Sequence, residues 1–373
     1  MNLPQSSQLN IGYFSRLFDN TTNCYKFFWF KGLLKNLEDG KVRITFDDIL
    51  NEMMADAWYM VTAYHLQLGP NGSKDNLEEV VKYIFDKENF IPSENRDKLL
   101  AYLRSSEDRN IIRYKKELIK NVPYRLQVPF YDIDINRKEW YGSPEALARK
   151  INTNKRLMYY FTAINGISSE IEMDPIWAEY LLRNLEIIRG WMELSLIHYL
   201  QKRNPSVPGI ADKLSAPQER KLDKAKRYWK SVIEVTEIRN IYTGGIMTKG
   251  DISIDHFVPW SYVAHDELWN LVPTTRTVNS SKSNNLPDWD IYFPRLAAAE
   301  YNAHQAVRKY DGLKQLQKAV NDCLKEHVNN EEIRYKLYST ELDQSRFTEQ
   351  LSNILRPSYD AAMNMGFRVW NYE

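Results

Sequence analysis

The feature that most constrains this chain is the segment 242–287, which has the signals of a small β-hairpin but little apolar surface to bury. Its sequence is YTGGIMTKGDISIDHFVPWSYVAHDELWNLVPTTRTVNSSKSNNLP, and the opening Tyr-Thr-Gly-Gly run predicts a tight turn. A unit of this size buries too small a core to be stable alone. The chain has only two cysteines, Cys24 and Cys323, which are too few for a structural zinc site. We therefore expect the flanking helices to pack around the hairpin.

The same segment carries polar residues whose types suit hydrolytic chemistry. Asp255 and His256 are adjacent, Asn270 follows fourteen positions after the histidine, Asn279 nine after that, and Lys282 three further on. An imidazole near its ordinary pKa can take a proton from water at neutral pH. Carboxylate and amide oxygens are hard ligands that suit Mg²⁺ or Mn²⁺ better than Zn²⁺. These residues therefore predict a general base beside a site for a hard cation.

The order and spacing of these residues resemble the HNH nuclease family. The stretches Asp-His-Phe-Val-Pro and Lys-Ser-Asn-Asn-Leu-Pro, which open and close the segment, are most similar to the HNH domains of RNA-guided CRISPR nucleases. The resemblance does not extend to the flanking helical regions. It implies a small ββα-metal fold, in which the Asp-His pair lies on a β-hairpin and Asn279 on the helix that follows.

The resemblance also implies a role for each residue in the hydrolysis of phosphodiester bonds. His256 would activate water as the general base, while Asp255 and Asn279 would hold one Mg²⁺ (or Mn²⁺). Asn270 would tie the loop backbone and orient the base. Successive residues of a strand point to opposite faces, so the Asp-His pair needs a bulge or a turn to converge on one point.

Outside this segment, apolar residues recur at helical spacing through most of the chain. We predict a mainly α protein, a multi-helix scaffold with a small embedded ββα-metal (HNH) domain. The sequence suggests four regions: an N-terminal helical region with a partner-binding or regulatory role at 1–142, a helical region ending in a basic helix at 143–238, the HNH domain at 239–290, and a C-terminal helical region packing on the HNH unit at 291–373.

Three local patterns give finer predictions for the flanking regions. Thr45 followed by an acidic turn that includes Asp48 predicts the N-terminal cap of a helix. The two prolines of VPYRLQVPFYDIDI, residues 122–135, predict an edge strand or a polyproline-like crossing. The long apolar run 176–203 predicts one buried helix or a bent pair, with Gly190 marking the bend.

Net charge limits how the chain can bind nucleic acid. The formal net charge is +1, so cations must be concentrated locally to contact phosphate. Within the HNH segment acidic residues offset basic ones, and the resemblance points to Lys282 and Arg276 as its phosphate contacts. The preceding helix is richer in cations, and we predict that Arg220, Lys224 and Arg227 present a basic face to nucleic acid. A basic face that is merely solvated is the alternative.

The leading hypothesis is an HNH endonuclease that hydrolyses DNA in bacterial anti-phage defence or restriction. The helical region, a regulatory protein partner or self-association would control it. The alternatives are a non-catalytic nucleic-acid- and partner-binding module with a degenerate HNH fold, and a nuclease that acts on structured RNA. No apolar run reaches the ~18 residues that span a bilayer, and MNLPQSSQLN has neither a basic start nor an apolar core, so no membrane segment or signal peptide is expected. Two unpatterned cysteines fit a reducing compartment, and we predict a cytoplasmic location.

Overall fold

The computed structural model describes residues 3–216, 220–339 and 341–372. Helices dominate, and the strands are few and short. Within the described residues, no helix combines the length and the apolar character needed to cross a membrane.

The chain folds into two compact units. The first consists of Met1–Pro205 with Ile210–Ala216, and the second of Ser206–Gly209 with Pro217–Glu373. The region boundary expected at residues 142 and 143 lies inside the first unit. The expected region 143–238 is divided between the two units.

The first unit contains eleven helices, among the residues described, and one small sheet. The helices are α1 (Ile11–Phe14), α2 (Tyr25–Glu38), α3 (Phe46–Thr62), α4 (Asn76–Lys87), α5 (Arg96–Ser105), α6 (Arg109–Leu118), α7 (Val122–Arg125), α8 (Arg137–Trp140), α9 (Pro144–Ile151), α10 (Pro175–Arg183) and α11 (Leu185–Arg203). The strands are β1 (Arg43–Thr45), β2 (Tyr159–Ala163) and β3 (Glu170–Met173). They pair antiparallel in the order β1–β3–β2.

The core of the first unit lies between α2 and α3. Four consecutive aromatic side chains of α2, residues 27–30, are at most 2% exposed, because α3, α7, α10 and α11 pack around this part of the helix. Trp29 packs edge-on against Phe46, the first residue of α3. The Thr45 hydroxyl accepts a hydrogen bond from the Asp48 amide (3.1 Å), and the Asp48 carboxylate accepts one from the Thr45 amide (3.3 Å). This capping box confirms the cap predicted from the sequence.

The prediction of an extended crossing at residues 122–135 is wrong. Residues 122–125 form α7, with Pro123 in its first turn, and residues 128–130 form a 3₁₀ turn. A proline in the first turn of a helix removes only an amide that has no partner there. The two prolines are therefore compatible with two short helical turns.

The bend predicted at Gly190 is also misplaced. The run is a pair of helices, α10 and α11, but they meet at Asn184, and Gly190 lies inside α11. The Asn184 side chain donates to the Tyr180 carbonyl (2.8 Å), and its backbone amide contacts the same oxygen (3.1 Å). Asparagine competes with helical hydrogen bonds in this way, so the chain turns there.

The second unit wraps helices around a two-stranded hairpin. Its helices are α12 (Asp223–Val235), α13 (Trp260–Val263), α14 (Arg276–Lys282), α15 (Trp289–Lys309), α16 (Lys314–His327), α17 (Glu331–Ile333) and α18 (Gln344–Asn364). Its strands are β4 (Ser253–His256), β5 (Leu271–Thr274), β6 (Leu286–Pro287) and β7 (Val369–Trp370). The pair β4–β5 is antiparallel and β6–β7 is parallel.

The arrangement of the second unit confirms the predicted fold class. The hairpin β4–β5 followed by α14 is a small ββα unit within a mainly helical chain. Helix α12 contacts both strands of the hairpin and packs along α16, while α15 packs along α18. Strand β7 pairs with β6, which ties the C-terminal end of the unit to the residues just after α14. The flanking helices therefore cover a hairpin that could not bury a core by itself.

Candidate active site

The site is built on the hairpin β4–β5 and the short helix α14. In the antiparallel register Asp255 lies opposite Val272, and His256 lies opposite Leu271. Thr275 caps α14, because its hydroxyl oxygen accepts a hydrogen bond from a backbone amide of the first turn. The end of the first strand and the helix that follows the second strand are thus held beside each other.

Packing and one buried hydrogen bond hold the hairpin against its neighbours. Trp229 of α12 is fully buried, and its indole N–H donates to the Leu271 carbonyl (3.2 Å). Phe257, also fully buried, contacts the rings of Trp289 and Phe293 of α15. These contacts supply the apolar cover that a hairpin of this length lacks.

Asn240 organises the turn that precedes β4. Its side-chain oxygen accepts a hydrogen bond from the Tyr242 amide (3.0 Å), and its side-chain nitrogen donates to the Thr274 hydroxyl (3.0 Å). Its backbone amide donates to the Gly245 carbonyl (2.8 Å). The turn is therefore closed by hydrogen bonds at a position where the sequence has no cysteine.

Asp255 is buried, with both carboxylate oxygens engaged. Oδ2 accepts a hydrogen bond from the Tyr242 hydroxyl (2.5 Å), and Oδ1 lies 3.2 Å from Nζ of Lys282. Burial, together with the neighbouring carboxylate, raises the pKa of Tyr242, so its phenol keeps the proton that it donates. The charge of Asp255 is thus compensated within the protein.

The position of Lys282 corrects the expectation of a phosphate contact. Its side chain is fully buried, and Nζ donates to the His256 backbone oxygen (2.7 Å) as well as to Asp255. Burial lowers the pKa of Lys282, and the nearby Asp255 opposes that effect. An ammonium enclosed in this way joins α14 to β4 and cannot reach a phosphate on the surface.

The His256 ring lies between an acidic side chain, Asp266, and a basic one, Arg220. Nε2 is 2.7 Å from Oδ1 of Asp266, and Nδ1 is 3.4 Å from Nη1 of Arg220. The Arg220 guanidinium also lies over the Trp260 ring, 5.6 Å from its centre. His256 is 4% exposed, so its ring depends on these polar neighbours rather than on water.

The environment of His256 favours its neutral form. Burial lowers the pKa of His256, the hydrogen bond to Asp266 opposes this, and the positive charge of Arg220 reinforces it. Burial by itself would raise the pKa of Asp266. The hydrogen bond to His256 and the positive groups around it outweigh that effect and hold the pKa below its usual range. At neutral pH the pair is a neutral imidazole beside an ionised carboxylate.

Asn270 joins the start of β5 to the residues that follow His256. Its side-chain oxygen accepts a hydrogen bond from the Val258 amide (2.8 Å), and its side-chain nitrogen donates to the Val258 carbonyl (2.9 Å). Its backbone oxygen accepts a further bond from the Phe257 amide (2.9 Å). Asn270 is fully buried and therefore clamps the backbone next to His256 without reaching a substrate.

Asn279 lies on the face of α14 that meets β4. Its side-chain nitrogen donates to the Ser253 hydroxyl (2.9 Å) and to the Ile254 carbonyl (3.2 Å). Its side-chain oxygen accepts no hydrogen bond from the residues that the structure describes. No side-chain hydrogen bond in this part of the chain joins Asp255, His256 and Asn279 to one another.

The remaining predicted cations differ in their surroundings. Lys224 forms an ion pair with Glu326 of α16, and the Nε–H of Arg227 donates to the carbonyl one turn earlier in α12 (3.5 Å). Arg227 and Arg276 are exposed. Of the predicted nucleic-acid contacts, Arg220 is the one whose side chain contacts the His256 ring.

Asp266 and Tyr242 were not singled out by sequence reasoning, although each contacts a predicted site residue. Asp266 stands ten positions after His256 in a polar loop, and no periodic pattern distinguishes it from a solvated acid. Tyr242 opens the run that predicts a tight turn, and no role in the site was expected for it. The one signal that could have found it is the mixed character of tyrosine, which is apolar along its ring and polar at its tip.

Comparison with known proteins identifies the segment that carries this site. Residues 240–288 match the HNH endonuclease family. No curated protein and no solved structure matches the chain. The match includes the whole hairpin and α14, and the similarity of this segment to HNH endonucleases supports nuclease activity. Domains of this class generally depend on divalent metal ions.

Proposed function

We propose that the protein is a metal-dependent HNH endonuclease that hydrolyses phosphodiester bonds of DNA. The observation that carries the proposal is His256, a buried and neutral imidazole beside Asp266, on the hairpin of the domain that matches the family. A neutral imidazole can accept a proton, whereas a charged one cannot. The likeness to the HNH domains of RNA-guided CRISPR nucleases rests on the sequence stretches that open and close the segment.

The donor atoms in this domain suit a hard cation that keeps most of its own water. Among the residues described, no group of three or more His, Cys, Asp or Glu side chains could share one ion. Mg²⁺ commonly takes only one or two carboxylates and completes its shell with water and substrate phosphate. We assign Asp255 and Asn279 as the residues that would hold Mg²⁺ (or Mn²⁺). Each Asp255 oxygen accepts one hydrogen bond and keeps a further lone pair, and the side-chain oxygen of Asn279 has no partner among those residues.

Other residues of the chain accept the proton and hold the site in position. His256 accepts a proton from the attacking water, and Asn270 holds the backbone that carries His256. Lys282 and Tyr242 fix the orientation of the Asp255 carboxylate. When bound, the metal ion would stabilise the charge that develops on the phosphate and on the leaving oxygen. Preorganised positioning of this kind is the usual contribution of the protein to phosphoryl chemistry.

Binding to nucleic acid would rest on cations around the hairpin. Arg220, Arg227 and Arg276 are the proposed phosphate contacts, with Lys224 as a contact that must first leave Glu326. The biological setting that fits such a nuclease is bacterial anti-phage defence or restriction in the cytoplasm. The helical first unit, a regulatory protein partner or self-association would control when the domain cleaves.

The test is cleavage of supercoiled plasmid DNA with Mg²⁺, with Mn²⁺ and with EDTA. Wild type should cut with a metal and not with EDTA, and His256→Ala should be inactive in all three. His198→Ala is the matched control, because His198 is exposed in the first unit. A structured RNA in a parallel reaction would identify a ribonuclease.

A non-catalytic module with a degenerate HNH fold is the second candidate. The engagement of both Asp255 oxygens by Tyr242 and Lys282 favours it, because those bonds compete with a metal ion. It predicts DNA binding without cleavage, equal in wild type and in His256→Ala. Asn279→Ala separates the two candidates: the nuclease loses Mn²⁺ affinity in a calorimetric titration, whereas the module shows no metal effect. The loss of the two hydrogen bonds to β4 should lower the melting temperature in both cases, so metal affinity is the readout that decides.

A further inference from the structure

The ring of His256 is bound on both sides, and its two partners have opposite hydrogen-bonding capacity. A guanidinium can only donate, so Nδ1, which faces Arg220, must be the nitrogen with the lone pair. An ionised carboxylate can only accept, so Nε2, which faces Asp266, must carry the proton. The two contacts therefore specify one tautomer of the neutral ring.

Asp266 is itself held in place by a part of the chain outside the matched segment. His327 is the last residue of α16, and its ring Nδ1–H donates a hydrogen bond to the Asp266 backbone oxygen (2.7 Å). The neighbouring Glu267 carboxylate accepts hydrogen bonds from the Asn329 amide (3.1 Å) and from its side-chain nitrogen (2.8 Å). The loop that carries Asp266 is thus bound to the end of α16, and the carboxylate has a defined position relative to the ring.

We propose that Asp266 is a positioning residue that keeps His256 in the Nε2–H tautomer, so that Nδ1 is the nitrogen that takes the proton from water. The inference rests on the proposed nuclease function. In the cleavage step the water proton moves to Nδ1 and the water oxygen forms a bond to phosphorus. The bond from phosphorus to O3′ breaks, its electron pair stays on O3′, and O3′ takes a proton from solvent. A carboxylate fixed beside the distal nitrogen is a known way to orient a catalytic imidazole.

Arg220 completes this arrangement, because before substrate binds it contacts Nδ1, the nitrogen that is to accept the proton. The guanidinium lies at hydrogen-bonding distance from Nδ1 and beside the Trp260 ring. A phosphate that enters the site offers Arg220 a stronger, charge-assisted partner than a neutral imidazole. Its departure to the phosphate leaves Nδ1 available to water. Substrate binding and exposure of the base are thereby linked through one side chain.

The orientation of the ring can be tested without substrate or metal. In long-range ¹H–¹⁵N spectra of protein with ¹⁵N-labelled histidine, the His256 signals are those lost in His256→Ala. Wild type should show a protonated Nε2 and an unprotonated Nδ1. Asp266→Ala should lose this preference. The control Asp251→Ala should retain it, since among the residues described the Asp251 carboxylate accepts a hydrogen bond from the Arg276 backbone amide alone. A protonated Nδ1 in wild type would overturn the inference.

The catalytic consequence is measured in single-turnover cleavage with saturating DNA. Asp266→Ala should slow cleavage by roughly 10²-fold or more, the usual scale for an impaired general base, with unchanged DNA affinity. Asp266→Asn keeps an oxygen that can accept from Nε2–H, so it should lie between wild type and alanine; it also serves if the alanine variant does not fold. Rates equal to those of Asp251→Ala in both variants would overturn the inference while the nuclease function stood. Inactivity of wild type itself would instead overturn the proposed function together with this step.

Discussion

Replacing Lys282 with methionine should destabilise the second unit by about 3–5 kcal/mol. The substitution removes one partner of a buried ion pair, and Asp255 is left with a buried charge whose remaining hydrogen bond comes from Tyr242. Breaking a buried pair in this way typically costs about 3–5 kcal/mol, whereas losing an exposed pair costs less than about 1 kcal/mol. The lost hydrogen bond to the His256 carbonyl is part of the same cost.

Differential scanning calorimetry in EDTA is the appropriate assay, because it removes any contribution from bound metal. For a unit of this size 1 kcal/mol corresponds to about 2–4 °C, so the transition of the second unit should fall by about 6–20 °C. Lys249→Met is the matched control. Lys249 is half exposed and pairs with Glu234 at the surface, so this change should shift the transition by less than about 4 °C.

The double variant Lys282→Met with Asp255→Asn separates charge from packing. If the cost comes from the unpaired carboxylate, the neutral asparagine should restore part of the loss, and the two changes will not be additive. A transition unchanged by Lys282→Met, together with weaker DNA binding, would refute the reasoning from burial. That result would restore Lys282 as a phosphate contact.

Three further changes test other parts of the chain. The pKa of Asp75 is raised to about 6, chiefly by burial, so its negative charge lowers the stability of the first unit above that pH. Asp75→Asn should therefore raise the stability of this unit by up to ~3 kcal/mol at pH 8, and the gain, measured by thermal unfolding, should vanish towards pH 3.8. Asn270→Ala removes both side-chain bonds to the Val258 backbone and should cost about 2–3 kcal/mol in urea unfolding of the second unit; a smaller effect would mean that water replaces the clamp. Thr45→Ala should cost about 1 kcal/mol in the first unit, and an unchanged urea midpoint would contradict the role of the capping box with Asp48.

The parts of the fold that were predictable depend on neighbours in sequence. The cap at Thr45 requires only residues within one turn, and the turn predicted at residues 242–245 is also local, because it joins the paired residues Arg239 and Ile246. The break between α10 and α11 was not predictable in the same way. Asn184 ends the helix by bonding the Tyr180 carbonyl, whereas Gly190 has the weaker helix propensity but remains helical within the packed unit.

The same distinction between local and tertiary interactions applies to the residues of the candidate site. Spacing along the chain led to Asp255, His256 and Asn270 because the first two lie on β4 and the third directly precedes its partner strand β5. The roles of Asp266 and Lys282 depend on tertiary structure. The first is fixed by His327 of α16, 61 positions away, and the second is turned inward by the packing of α14 on β4. Motif spacing therefore indicates which residues are present, while burial decides which of them can reach a substrate.

The charges of the site are largely compensated internally, which leads to a last prediction about salt. Lys282 pairs with Asp255 and Lys224 with Glu326, so of the proposed phosphate contacts Arg220, Arg227 and Arg276 can meet phosphate without first breaking an ion pair. Three phosphate contacts give a slope of about −3 when the logarithm of the DNA association constant is plotted against that of salt concentration. Arg220→Ala should reduce the slope by about 1, as should Arg227→Ala. An unchanged slope for Arg220→Ala would mean that this arginine remains on His256 when DNA is bound, and the link between substrate and base would then fail.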